Sequence, residues 1–348
     1  MSDPLDSMNI LTQRDPSGAL QIVADQYEQA TFDVPVINGE NDGRKITSVI
    51  VTGMGGSALA ALVVKVWVND SLKVPFEVVR DYSLPAHVNK NTLVIVSSYS
   101  GNTEETVSAF EQAREKGAQI AIVTSGGKLK EIAEQEQIAW VELTPGVQPR
   151  MAMIQGLRAM VSLLVHFEIL KQEQLDEIAD AADWLKTEIS RWVPSVPVSE
   201  NLPKRLAHQA AGKTAVFYGG SLTAPLAYKW KISWNETAKN TAFWNQYSEY
   251  DHNEFMGWTS HPIEKPFAVF DLISQLEHPQ ILKRFEISDR LLSGLRPKAT
   301  TIEIEGDTVI KQMLWGAILA DFTSVYLAVL NGVDPVPVDL IEKLKKEL

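Results

Sequence analysis

The chain has 348 residues, enough for two domains, with ordinary globular shares of hydrophobic (45%) and charged (22%) residues. Lys plus Arg total 32 and Asp plus Glu total 44, a formal charge of −12, and no local basic patch stands against that background to hold a nucleic acid. There is no cysteine, which excludes disulfides, iron–sulfur clusters, thiolate zinc sites and cysteine nucleophiles and fits a reducing cytoplasm.

The opening MSDPLDSMNI is acidic and has no apolar core, so no signal peptide is expected. The two most apolar stretches, 57–68 and 309–333, are interrupted by Lys65 and by Lys311 and Asp321. Both read as buried helices, and no membrane partner is expected. Residues 1–46 read as an N-terminal extension carrying no usable motif. From there SVIVTG (48–53), FEVVRD (76–81), TLVIVSS (92–98), QIAIVTS (119–125) and AWVEL (139–143) read as strands. Helical segments alternate with them at 57–68, 101–116 and 128–137, and a long apolar helix follows at 151–170. That alternation predicts βαβ units, hence an α/β fold with a parallel sheet covered by helices on both faces.

A first subdomain is therefore placed at 47–171 and a charged, proline-ended connection at 172–200. A second subdomain follows at 201–348. It opens with TAVFYGGS (214–221), whose Gly219-Gly220-Ser221 repeats Gly55-Gly56-Ser57 after a strand. This reads as duplication of one α/β unit, against the alternative that two strand–helix turns share three residues by chance. PFAVFDL (266–272) and TTIEIEG (300–306) read as further strands, with helices near 278–292 and 308–331. VDLIEKLKKEL (338–348) reads as a short amphipathic helix.

Gly53-Met54-Gly55-Gly56-Ser57-Ala58 satisfies the loose dinucleotide fingerprint after a strand. The acidic residue expected about 20 positions on is badly placed, since Asn69 is an amide, Asp70 ends a helix and Asp81 lies late. The second glycine loop discriminates better. Ser98, Ser100 and Thr103 stand with Gly101 between a strand and a helix N-terminus, where free N–H groups and the helix dipole attract an anion. Three hydroxyls in one such loop make a cage for a phosphate monoester, the competing reading being that Asn102 or Thr103 caps the helix.

GMGGS and SYSGNTEET, each after a strand, resemble the sugar isomerase (SIS) domain, a parallel-sheet fold that binds phosphosugars and is often duplicated. The resemblance implies two SIS-type subdomains, each a parallel β-sheet flanked by α-helices. The matching place in the second reads DLISQLEH (271–278) without the hydroxyl loop, so one phosphate site is expected, at Gly56, Ser57, Ser98, Ser100 and Thr103. An aldose–ketose isomerase needs a carboxylate to move a proton between C1 and C2, a group to open the sugar ring and a cation for the enediolate. Glu236 suits the first, His252 the second and Arg150 the third. Left to themselves, Glu236 is equally a helix-surface carboxylate near Lys239 and His252 a loop histidine.

The segment NETAKNTAFWNQYSEYDHNEFMGW resembles the bifunctional phosphoglucose/phosphomannose isomerases of the SIS superfamily over roughly 45–348. Their pattern is N-E-x-x-K, a shared asparagine, then H-N-E and G-W, and Glu236 and His252 stand 16 residues apart as in that family. The resemblance implies Glu236 as the C1/C2 base, His252 as the ring-opening group and Arg150, in a PRMA run, beside the enediolate. It also implies a C-terminal lysine, with Ile341, Leu344, Lys345 and Leu348 matching and Lys345 favoured over Lys343 and Lys346. It implies no cofactor or metal, a phosphosugar substrate, and a homodimer in which His252 crosses the interface.

Three rival readings differ in what they require. A zinc-dependent isomerase would use His252, Glu254 and His261. A regulatory SIS module would need the phosphate loop and neither Glu236 nor His252. A dehydrogenase would use only the first glycine turn. Among relatives, an isomerase of another sugar phosphate stays open, and a glutamine-dependent hexosamine synthase fragment would need an amidotransferase cysteine that the sequence lacks.

Overall fold

The computed structural model describes residues 3–39, 41–259 and 266–347. Two compact units divide the chain: Gln26–Asp183 forms the first, and residues up to Asp25 join those from Trp184 onward in the second. Two short helices, α1 (Met8–Arg14) and α2 (Ala19–Ala24), open the chain and belong to the second unit.

The first unit alternates β1 (Ser48–Thr52), α3 (Gly55–Trp67), β2 (Phe76–Val79), β3 (Thr92–Ser97), α4 (Glu104–Glu115), β4 (Gln119–Thr124), α5 (Gly127–Gln135) and β5 (Ala139–Glu142). It then adds α6 (Met153–His166) and α7 (Gln172–Asp180). All strand pairs are parallel, in the order β2-β1-β3-β4-β5. β3 is buried along its whole length, because a parallel sheet with helices on both faces leaves neither side of a central strand wet. One face packs Ile50, Val94, Val96 and Ile122 against Phe110 and Ala113 of α4 and Leu129 of α5. Phe110 is fully buried, worth about 1.5–3 kcal/mol on transfer grounds. Helix α6 packs against α3. The strand order reverses between β1 and β3, and in such sheets ligands bind outside the carboxyl ends of the two strands flanking that switch.

The second unit continues with α8 (Ala182–Ile189), α9 (Leu202–Ala210), β6 (Thr214–Gly219), α10 (Ala224–Glu236), β7 (Ala242–Gln246), α11 (Glu254–Gly257) and β8 (Phe267–Ile273). It ends with α12 (Pro279–Leu291), β9 (Thr300–Glu303), α13 (Val309–Asn331) and α14 (Asp339–Glu347). Its parallel sheet runs β7-β6-β8-β9. Position for position this is the β2-β1-β3-β4 portion of the first sheet, with no fifth strand among the described residues. The stretch 172–200 is helical through α7 and α8 before its prolines, and the division between the units falls inside α8.

Helix α13 is long and apolar enough to cross a membrane, yet 94% of its most apolar window is buried inside the protein. Asp321, which breaks the apolar run, meets the ammonium of Lys229 on α10 at 2.5 Å and accepts the Ser233 hydroxyl at 2.9 Å. Both charged side chains are buried, so the pair fixes how α10 is rotated against α13. Strand β7 is the element the sequence pattern hides. It lies at the sheet edge, with Phe243 exposed, so its residues do not show the continuous apolar run of a central strand.

Candidate active site

In the first unit the hydroxyl residues converge at the switch point. Ser57 follows the end of β1 and its Oγ accepts the backbone N–H of Tyr99 at 3.2 Å. Ser98 follows β3 and is buried; its Oγ accepts the Gly101 N–H at 3.1 Å and pairs with Thr103 Oγ1 at 2.9 Å. Ser100 is exposed, and its Oγ accepts the Asn102 N–H at 3.4 Å. Each oxygen that accepts an N–H keeps its own proton to donate. The Ser98–Thr103 pair uses one proton between its members and keeps another. Three hydroxyl protons are thus left for an anion at the mouth of α4, where the helix dipole favours negative charge.

The capping alternative for this loop is not what the structure shows. Thr103 stands at the N-cap of α4 without a side-chain capping bond. Asn102 Oδ1 turns instead to the Lys128 N–H at 2.9 Å. Gly101 is required, since its φ is +71° and a Cβ there would overlap the Gly126 carbonyl.

Gly56 serves a close approach. A Cβ on it would stand 2.9 Å from the Pro149 carbonyl oxygen and 3.1 Å from the Arg150 nitrogen. The Pro149–Met151 turn therefore rests directly on the first glycine loop, which brings the Arg150 backbone to the Ser57 side of the crevice. The Arg150 side chain is buried, and its Nη1 donates to Gln148 Oε1 at 3.2 Å. Gln26 and Gln29 brace the same turn, both donating to the Met151 carbonyl, at 3.1 and 2.9 Å. Sequence reasoning missed these two glutamines, which lie more than 120 positions from their acceptor.

In the second unit Glu236 is the last residue of α10 and half-buried. Its backbone carbonyl accepts Lys239 Nζ at 2.5 Å. Neighbouring bonds hold this corner: Asn235 Oδ1 accepts the Ala242 N–H at 3.0 Å, and Asn331 Nδ2 donates to the Ala238 carbonyl at 3.0 Å. His252 is exposed in a turn, Glu249–His252, after β7. The segment around it is anchored by Glu254, which accepts the Tyr218 hydroxyl at 2.5 Å and Asn245 Nδ2 at 2.7 Å, while Trp258 Nε1 donates to Tyr218 at 3.2 Å. Burial, with Tyr250 beside it, holds the Tyr218 hydroxyl far above the ordinary tyrosine range, so it stays a donor.

Within one chain the fold separates Glu236 from His252. Helix α10 returns antiparallel to the strands and ends at the amino edge of the sheet, where β7 begins. β7 then carries the chain to the carboxyl edge, where His252 follows. Five residues at about 3.3 Å each put roughly 15 Å between those edges.

Lys345 lies in α14, pairs with Glu342 at 2.9 Å and is exposed, as are Lys343 and Lys346. No described residue of α14 is buried. His261 and Leu348 lie outside the described residues. Among the described residues no three His, Asp or Glu side chains cluster as metal ligands. A cavity of about 390 Å³ beside β7 is lined by Phe243, Trp244, Trp258 and Phe267, and among the described residues its one acid is the already engaged Glu254.

The second unit's own switch point holds a carboxylate. Glu277, after β8, is buried and accepts the Leu222 N–H at 2.9 Å and the His278 N–H at 3.3 Å. A Cβ on Gly220 would collide with it. At the corresponding place in the second unit a carboxylate of the chain itself thus accepts the backbone N–H groups. The sequence offered its position, in DLISQLEH, without showing where the side chain goes.

Comparison with known proteins agrees with this architecture. Residues 44–167 match the family model described as SIS domain, and residues 199–348 match that of the bacterial phospho-glucose isomerase C-terminal SIS domain. A bifunctional phosphoglucose/phosphomannose isomerase of Caldicellulosiruptor bescii is 38% identical over 87% of this chain and 90% of its own length. Another, from Aquifex aeolicus, is 34% identical over 86% and 90%. The crystal structure of a glucose-6-phosphate isomerase like protein from Thermus thermophilus matches at a TM-score of 0.68 with 18% identity, covering both chains completely, a likeness of fold. Identity at that level across nine-tenths of a relative's length, with the SIS models matching both halves, makes this chain a member of the bifunctional phosphoglucose/phosphomannose isomerase family.

Proposed function

We propose that this chain is an aldose–ketose isomerase that interconverts glucose 6-phosphate, mannose 6-phosphate or both with fructose 6-phosphate through a cis-enediol. The observation that carries the reading is the convergence of three spare hydroxyl protons at the first unit's switch point, in a chain 38% identical to an isomerase named for both substrates.

Ser57, Ser98, Ser100 and Thr103 hold the phosphate, with the N–H groups opening α4. Gly56 lets the Arg150 turn approach. His252 moves the proton that opens the ring. Glu236 takes the C2 proton of the aldose and returns it to C1, while the C1 oxygen gains and the C2 oxygen loses a proton. Arg150 carries the charge that develops on the enediolate oxygen. Lys345 is assigned as a further cation of the site.

The separation of Glu236 and His252 to opposite sheet edges supports a site completed by a second copy, which supplies His252 to the first copy's Glu236. The absence of cysteine and the family's metabolic chemistry support a cytoplasmic location.

A coupled assay of fructose 6-phosphate formation from each aldose, with EDTA present, tests the activity. Turnover of at least one is expected, and turnover of neither overturns the proposal. Thermal stabilisation by NAD(H) but not by phosphosugar would do the same. Mixing inactive Glu236→Gln and His252→Ala chains restores activity if His252 crosses between copies. No recovery, with subunit exchange confirmed, assigns both groups to one chain.

A further inference from the structure

We infer that Tyr99 is a positioning residue that couples phosphate binding to the placement of Arg150. The inference rests on reading the first unit's crevice as the phosphate site.

Tyr99 sits between Ser98 and Ser100, and its groups reach the loops after β1, β4 and β5 at the carboxyl edge of the sheet. Its backbone N–H donates to Ser57 Oγ at 3.2 Å, in the loop after β1. Its carbonyl accepts the N–H of Ser125 at 3.0 Å and that residue's hydroxyl at 2.6 Å, in the loop after β4. Its phenol donates to the Thr144 carbonyl at 2.9 Å and accepts the Val147 N–H at 3.3 Å, in the loop after β5. Partial burial raises the phenol's pKa, so the hydroxyl remains a donor.

The loop after β5 leads directly to Arg150. Thr144 is held on its other side by Gln155, through its N–H at 3.2 Å and its carbonyl at 3.3 Å. Gly146 has φ +103°, a conformation that leaves the arch to glycine. Pro145 and Gly146 are exposed. The phenol therefore tethers the arch from the crevice side, three residues before Arg150.

An anion that engages Ser57, Ser98 and Ser100 restrains the backbone of Tyr99 from both neighbours and through Ser57. Fixing that backbone fixes the phenol, and the phenol fixes the 144–147 arch that delivers Arg150. Part of the phosphate's binding energy then appears in turnover, because a misplaced cation costs rate more than ground-state affinity.

The test is hydrogen exchange on the full chain with and without inorganic phosphate, in wild type and Tyr99→Phe. Phosphate slows exchange in 98–106 and in 144–151 of the wild type. In Tyr99→Phe it slows only the first segment. Kinetically, Tyr99→Phe lowers kcat by about 10- to 100-fold, while KM and the inhibition constant of phosphate stay within about twofold. Wild-type protection of 98–106 without 144–151 overturns the coupling, and so does a variant that keeps protection of 144–151. A variant with KM and inhibition constant raised together at unchanged kcat overturns it too. Protection of neither segment in the wild type removes the phosphate reading itself. The wild-type comparison stands even where the variant folds poorly.

Discussion

Ser100→Ala and Ser98→Ala separate two roles that the loop sequence lumps together. Ser100 is exposed and its one intramolecular bond is a long 3.4 Å contact from the Asn102 N–H. Removing its hydroxyl costs the fold little and the phosphate one charge-assisted donor, worth about 1.5–3 kcal/mol, or roughly 10- to 140-fold in affinity. Ser98 is buried, with bonds at 2.9 and 3.1 Å. Its truncation strips Thr103 of a partner as well, costing about 0.5–1.5 kcal/mol of stability. At about 2–4 °C per kcal/mol for a unit of this size, Tm falls by roughly 1–6 °C. The assays are KM for both aldose phosphates, competitive inhibition by inorganic phosphate, and thermal unfolding. Ser100→Ala is expected to raise KM and weaken phosphate inhibition at unchanged Tm, whereas Ser98→Ala moves both. Unchanged phosphate inhibition in Ser100→Ala, or equal Tm losses in the two variants, refutes the reasoning.

Glu236→Gln keeps the shape and loses the base, so kcat drops by about 10²–10⁴-fold with phosphosugar binding retained; solvent deuterium entering C2 at the wild-type rate would assign the base elsewhere. Lys229→Met leaves the Asp321 carboxylate buried without its ammonium, at about 3–5 kcal/mol or roughly 6–20 °C in Tm. Adding Asp321→Leu recovers much of that loss, and a double variant no better than the single refutes the ion-pair argument. Glu277→Ala strips two N–H groups of their acceptor and lowers stability by about 1–3 kcal/mol, with formate restoring part of it; an unchanged Tm means the carboxylate does not serve as an internal anion. Burial pushes the Asp271 carboxyl up to about 7, with Arg296 pulling the other way. The folded state holds that proton more tightly than the unfolded chain, so the linked stability is complete below about pH 4 and drains as pH rises through 7. Asp271→Asn, neutral throughout, flattens the decline in Tm between pH 5 and 8, and parallel slopes would count against the shift.

The hydroxyl loop was legible because its make-up is local. Ser98, Ser100, Gly101 and Thr103 fall within six consecutive positions, and a strand followed by a glycine fixes them at a helix mouth. The central strands were legible for the same kind of reason, since burial on both faces demands continuous β-branched runs. Strand β7 was not, because an edge strand with an exposed aromatic is free to carry amides. Glu277 was not, because its acceptor role depends on Leu222, 55 positions away. The brace on the Arg150 turn by Gln26 and Gln29 spans still greater separations.

The order of strands and helices, the duplication and the hydroxyl cage follow from residue types and short spacings, which local sterics and burial translate directly into structure. Relative placement does not. Sixteen residues separate Glu236 from His252 in sequence, a spacing that does not by itself place them. Tertiary structure decided, because a parallel crossover must return its helix to the starting edge before the next strand can run. The residues at the helix end and beyond the following strand are thereby held about one strand length apart. The same geometry decided that Gly56 serves the Arg150 turn and that Glu277 accepts the Leu222 N–H beside Gly220, contacts made only when distant loops meet at one end of a sheet.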